Sequence, residues 1–261
     1  MKVVEDAVWI GFVALLSVGV AWGQGTGAGT PGGGVGTGGA PGGAHPSDLD
    51  LPISNPGYQG GELPIDEEID EEIDPPPTFF GEEIDSENDT IVYVLDISGS
   101  MGWDTQSYTT ADGTQASGPR IDRAKAELTR SIRGLSENFR FNVLAYDCGT
   151  RHWQPSLQDA TSANKASAIA WVQVHRPTGA TGTGPAGASA LSDKDNMAVV
   201  LLTDGAPNCG ANGASGHRRM IAAANTQRAS VNVFGIAASG SYRSFCQGVA
   251  ADNFGSYVDV P

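Results

Sequence analysis

Asp96, Ser98 and Ser100 follow directly on Ile91–Leu95, an unbroken run of apolar and β-branched side chains. Such a run reads as a fully buried strand of a sheet covered on both faces. One carboxylate and two hydroxyls therefore gather where that strand ends. In open α/β sheets ligands bind at the carboxyl ends of strands, so the cluster is a candidate site for a hard cation. A second run, Ala198–Thr203, ends in Asp204-Gly205, and a Gly- and Thr-rich loop, Thr178–Gly184, lies between the two in sequence. With both strands adjacent at the centre of one sheet, their ends and the loop would converge on one crevice. Asp96, Asp204, Ser98, Ser100 and Thr181 would then form an all-oxygen, octahedral donor set suited to Mg2+, Mn2+ or Ca2+.

The elements that must position these residues alternate along the chain. Ile121, Ala124, Leu128, Ile132 and Leu135 recur at helical spacing, with Gly118-Pro119 at the helix start. Arg140–Asp147 reads as a strand and Arg151–Trp153 as a short return strand. Asn164–Val174 is a helix capped by Thr161 or Ser162, and Met220–Arg228 and Tyr242–Ala251 are two more, separated by a strand over Val231–Ala237. A last strand covers Tyr257–Val260. This alternation predicts an α/β fold: a doubly wound, mostly parallel central sheet with helices on both faces.

In three motifs, DISGSM, GATGTG and LLTDG, and in their order, the chain resembles a von Willebrand factor A-type domain of an exported, bacterial type carrying a metal-ion-dependent adhesion site. The resemblance covers Ile91–Val260, with Phe79-Phe80-Gly81 packing as a lead-in. It implies that the hydroxyls of Ser98, Ser100 and Thr181 bind the cation directly or nearly so. Asp96 and Asp204 would often act through water, and a Glu or Asp of a partner would complete the coordination. Thr178 and Thr183 lie close by, and Thr181 is preferred for its place in the Gly-x-Thr-x-x-Gly frame. The physical logic agrees: two carboxylates roughly cancel a divalent charge, and neutral hydroxyls leave the ion able to attract a third carboxylate. Three features depart from the family. Trp103–Ser117 is a long polar insertion that could shape or cover the site, Gly187 and Ser189 weaken the helix expected after Thr181, and Pro261 follows the last strand where a closing helix is expected.

Composition divides the chain. Residues 1–23 form a signal peptide or N-terminal anchor, whose apolar stretch Ala7–Trp22 is short for a span and ends in a small-x-small pattern. Residues 24–46 are a Gly-rich linker, with 11 Gly among the 22 residues from Gly25 to Pro46, and residues 47–78 are an acidic, Pro-rich linker. The domain occupies residues 79–261. Between Gln24 and Thr90 there are 15 acids and no Lys or Arg, which accounts for the whole net charge of −15. The acidic repeat Ile65–Asp74 would stay extended by self-repulsion, and its carboxylates could compete for the cation. The domain itself is near neutral. No clustered basic face marks a nucleic-acid partner, and Arg123, Lys125, Arg130 and Arg133 read as a solvated helix face. His217 reads as the start of a surface helix.

Of three cysteines, Cys209 and Cys246 each follow a neighbouring strand and are the favoured pair, the alternative being three buried free thiols. No catalytic triad or zinc motif can be assembled, and Gly182–Gly187 matches a dinucleotide fingerprint without the strand it requires. The chain is expected to be a non-enzymatic, exported module, secreted, periplasmic or at the cell surface. It would bind the exposed Asp or Glu of a protein ligand and meet a membrane only through an uncleaved N-terminal segment. The alternatives are an accessory subunit of an enzyme complex and a structural scaffold with an unused metal site.

Overall fold

The computed structural model describes residues 75–205 and 207–261. The expectations for the leader, the Gly-rich linker and the acidic repeat lie outside the described residues. A short hairpin opens the fold, β1 (Thr78–Phe79) pairing antiparallel with β2 (Glu82–Glu83). Phe79 is fully buried against Tyr93 and Phe234, so the lead-in packs on the domain as expected.

The central sheet starts with β3 (Thr90–Asp96), buried at every residue. After it come a 3-10 turn (Gly99–Gly102), β4 (Gln106–Thr109), β5 (Gln115–Gly118) and α1 (Arg120–Gly134). Next are β6 (Arg140–Tyr146), β7 (Thr150–His152), β8 (Gln158–Asp159), α2 (Ser162–Val174) and α3 (Thr183–Ala190). The chain closes with β9 (Ala198–Thr203), α4 (Gly213–Ala224), β10 (Ser230–Ile236), α5 (Gly240–Asp252) and β11 (Tyr257–Val260).

The sheet order is β11-β10-β9-β3-β6-β7, with β8 also on β6. The five strands from β11 to β6 run parallel, and β7 and β8 pair antiparallel with β6. From β3 the chain winds to β6 on one side, then returns to β9 and builds outward to β11 on the other. The direction of winding therefore reverses between β3 and β9, and their carboxyl ends flank the crevice where such sheets bind ligands.

Alternation along β3 serves two cores. Ile91, Tyr93 and Leu95 join the apolar side chains of α1 and α2, while Val92 and Val94 join those of α3, α4 and α5. A strand buried on both faces has no polar side until Asp96, which is why the run is continuous in sequence. The predicted helix after Thr181 forms despite Gly187 and Ser189. A Cβ on Gly187 would meet Ile221 Cγ1 at 2.8 Å, and one on Gly184 would meet His217 Cα at 2.9 Å. The glycines therefore let α3 lie close on α4, and this packing outweighs their poor helix propensity.

Two readings of side chains are corrected. Arg123 and Lys125 are not on a solvated face but buried. The β4–β5 hairpin lies along α1, with Gln106 Oε1 accepting from Arg123 Nη1 at 3.3 Å and the carbonyls of Thr109 and Thr110 accepting from Arg130 Nη2. Lys125 Nζ donates to the carbonyls of Gln173 (3.2 Å) and His175 (2.5 Å) at the end of α2, where cations are favoured. His217 is likewise buried, inside α4, which begins four residues before it, at Gly213. Its Nδ1 accepts from the Gly184 N–H at 2.8 Å, and burial pushes its pKa down.

Candidate metal centre

Asp96 is the last residue of β3 and fully buried. The Ser98 N–H donates to its Oδ1 at 2.8 Å, while its Oδ2 accepts from the Thr203 hydroxyl at 2.7 Å and the Tyr146 hydroxyl at 3.1 Å. These partners end β9 and β6, so the three central parallel strands all fix one carboxylate. Burial, then the neighbouring charge of Asp204, push the Asp96 carboxyl up to about 6, with the Ser98 and Thr203 hydrogen bonds opposing that rise. Ser98 Oγ lies 3.3 Å from Ser100 Oγ as the chain turns into its 3-10 segment.

Asp204 lies one residue past β9 and is 2% exposed. Its Oδ2 accepts from Arg120 Nη1 at 2.7 Å, but its Oδ1 is buried with no hydrogen-bond partner. A buried carboxylate oxygen left without a donor is costly, and a cation or its bound water would satisfy it. Gly205, at φ 81°, makes the turn beneath; a Cβ there would meet the Tyr242 carbonyl oxygen at 2.7 Å.

Thr181 is held by its backbone. Its N–H donates to Asn208 Oδ1 (2.8 Å), and its carbonyl accepts from the N–H groups of Asn208 (2.9 Å) and Cys209 (3.2 Å). The next residue, Gly182, donates to the Asp147 carbonyl at 2.7 Å, and Gly99 donates to the Gly179 carbonyl at 3.1 Å. Ser100, Thr181 and Asp204 line one cleft of about 410 Å³ with Gly99, Gly179, Asn208, Trp103, Arg120 and Tyr242. Thr183 instead sits inside α3, fully buried, 3.3 Å from the Tyr146 hydroxyl. The loop thus turns Thr181, not Thr183, to the cleft.

The structure brings the donor atoms predicted from the sequence to one end of the sheet. Two carboxylates and three hydroxyls make an all-oxygen set of the type hard divalent cations take. Among the described residues no three His, Cys, Asp or Glu side chains form a metal-binding group. Sequence reasoning missed Thr203, Tyr146, Asn208 and Arg120. Thr203 could have been found, because it precedes Asp204 in a strand otherwise wholly apolar.

The insertion Trp103–Ser117 shapes the site only at its root. The Arg120 N–H donates to the Trp103 carbonyl at 3.1 Å, so the hairpin leaves and returns at one point, and its tip lies along α1. The favoured disulfide is also corrected: Cys148 pairs with Cys209, their Cα atoms 5.8 Å apart, and Cys246 is free and buried. The loops after β6 and β9 both clasp the Thr181 loop, which brings their cysteines together. Cys246 faces inward from α5, where burial pushes its thiol up to about 12.

No protein-family model matches the chain. Over 186 residues it is 26% identical to inter alpha-trypsin inhibitor, heavy chain 4, of Mus musculus, covering 67% of this chain and 17% of that protein. It is 26% identical over 122 residues to human von Willebrand factor A domain-containing protein 3B, covering 46% of this chain and 8% of that one. The chain therefore spans under a fifth of the length of the curated relatives it matches. Among solved structures it is similar to a von Willebrand factor type A protein from Catenulispora acidiphila, at 19% identity and a TM-score of 0.49, covering 67% of this chain and 39% of that chain. Of these similar proteins, the human relative and the Catenulispora acidiphila protein carry the von Willebrand factor A type in their names.

Proposed function

We propose that this chain is an exported, non-catalytic binding module that recognises an acidic group on a partner protein through a divalent cation. Asp96, Ser98, Ser100, Thr181 and Asp204 would hold the cation, Mg2+, Mn2+ or Ca2+, and a bound ion would supply an electrophilic point for the partner's carboxylate. The observation that carries this reading is the unpartnered, buried Oδ1 of Asp204 on the cleft that Ser100 and Thr181 also line. The chain's own residues do the positioning. Thr203, Tyr146 and the Ser98 N–H fix the rotamer of Asp96, and Asn208 fixes the backbone of Thr181. The Cys148–Cys209 bridge supports export, because disulfides persist in oxidising compartments. Among the described residues no helix is long and apolar enough to cross a membrane.

Calorimetric titration of the purified chain with Mn2+ and Mg2+ tests the proposal. One saturable site per chain is expected, lost in Asp96→Ala and Asp204→Asn variants that still fold. Capture of an acidic peptide should then require the ion. No saturable site, or capture unchanged by chelator, would overturn the reading.

A further inference from the structure

Arg120 places a second positive group on the cleft. Its side chain is 13% exposed and bridges two carboxylates of unequal standing. Nη1 holds the buried Asp204, while Nη2 pairs with Asp104, which is 47% exposed at the root of the hairpin. The pair with Asp204 is enclosed and oriented. The pair with Asp104 faces water, where ion pairs contribute little and exchange readily. Asp104 is thus an internal carboxylate resting on a guanidinium that an external carboxylate could take over in the same geometry. Trp103 and Tyr242, 65% and 50% exposed, line the same cleft. They are two of only five exposed large hydrophobics among the described residues.

We propose that Arg120 makes this cleft selective for a peptide segment bearing two closely spaced carboxylates beside a bulky apolar side chain. One acid meets the cation, the second displaces Asp104 from Arg120 Nη2, and the apolar side chain packs on Trp103 or Tyr242. This rests on the cation-dependent reading above. In an extended peptide, acids two residues apart face the same side roughly 6.6 Å apart, and Arg120 and the candidate cation site are neighbours through their shared partner Asp204. The chain's own sequence contains such a pattern, Ile65-Asp66-Glu67-Glu68-Ile69, and it provides the probe.

The test measures binding of two labelled peptides by fluorescence anisotropy, with Mg2+ at physiological salt. One is IDEEI flanked by glycines; the other, IDQQI, keeps a single acid. The full chain should bind the first about tenfold more tightly, the scale of one charge-assisted hydrogen bond. Arg120→Gln should bring the two affinities within about twofold. Asp104→Asn, a change at a half-exposed residue that leaves the fold intact, should strengthen binding of IDEEI several-fold and hardly alter that of IDQQI. An unchanged ratio in Arg120→Gln, or equal gains for both peptides in Asp104→Asn, would overturn the inference while chelator sensitivity kept the cation reading standing. Binding of both peptides that survives chelator, or no saturable binding of either, would overturn both.

Discussion

Thr181 and Thr183 are separated by one residue and share a Gly-rich loop, yet they have different chemical fates. The N–H and carbonyl of Thr181 are both committed to the 208–209 segment, which leaves its hydroxyl to the cleft. Thr183 is fully enclosed and spends its hydroxyl near Tyr146. Thr181→Ala is therefore expected to weaken cation affinity by on the order of 10- to 100-fold, the range seen when groups around a metal are altered. Thr183→Ala should change it by less than about threefold, since its loss falls on Tyr146 rather than on the donor set. Calorimetric titration with Mn2+ measures both, and equal effects would refute the assignment of Thr181. At this scale the gathering of the candidate oxygen atoms was legible in the sequence because a carboxylate or hydroxyl at the end of an apolar strand has no local use. The groups that orient them were not: Tyr146 and Asn208 reach Asp96 and Thr181 across 50 and 27 residues of chain, and no spacing rule links such positions.

The seam between α3 and α4 shows how an element can run against its own propensities. By helix propensity alone, Gly184→Ala should stabilise α3 by about 1 kcal/mol. Its Cβ would instead meet the Cα and Nδ1 of His217, both at 2.9 Å, and backbone cannot retreat cheaply. A net loss of about 1–3 kcal/mol is expected, read as a lower urea midpoint at unchanged slope. The same seam has a pH signature. His217 must present an unprotonated Nδ1 to the Gly184 N–H, and burial holds its pKa below the unfolded value of 6.5. The unfolded chain therefore binds the proton first as pH falls. The contribution is present in full above about pH 6.5 and is lost as pH drops through the lower, folded value. His217→Gln should flatten this acid limb of the stability profile relative to the parent; an unaltered limb would mean that His217 does not set it. The central strands β3, β6, β9 and β10 were legible, since a strand buried on both faces has no period to misread, whereas the short exposed β4–β5 hairpin, read only as a polar insertion, was not. The start of α4 was not, because Gly213, Ser215 and Gly216 carry no apolar repeat and fold as helix only against α3 and α5.

At the scale of the molecule, charge and covalent structure are separated along the chain. Residues 24–90 carry 15 acids and no base, while residues 91–261 hold 13 acids against 14 bases; with Glu82, Glu83, Asp85, Glu87 and Asp89 the domain over 79–261 has 18 acids against 14 bases, a modest negative excess set against the dense acidity of the preceding segment. The one covalent tie joins the loops that clasp Thr181: Cys148 follows the Asp147 carbonyl that takes the Gly182 N–H, and Cys209 itself donates to the Thr181 carbonyl. Closing a 61-residue separation stabilises a domain by about 2–4 kcal/mol. For a domain of this size that corresponds to roughly 4–16 °C in Tm. Breaking the bridge should therefore lower Tm by such an amount and also weaken cation affinity, because the Thr181 loop loses a fixed wall on both sides. A thiol count keeps the two effects interpretable. In denaturant without reductant one thiol, Cys246, should react, and three should react after reduction. In the native state Cys246 should stay inert, with its thiol buried and pushed up to about 12. The double variant Cys148→Ser, Cys209→Ser then separates stability from site geometry. Measured well below its Tm, it should still bind Mn2+ more weakly than the parent, and equal affinity would mean that the bridge stabilises the domain without ordering the Thr181 loop.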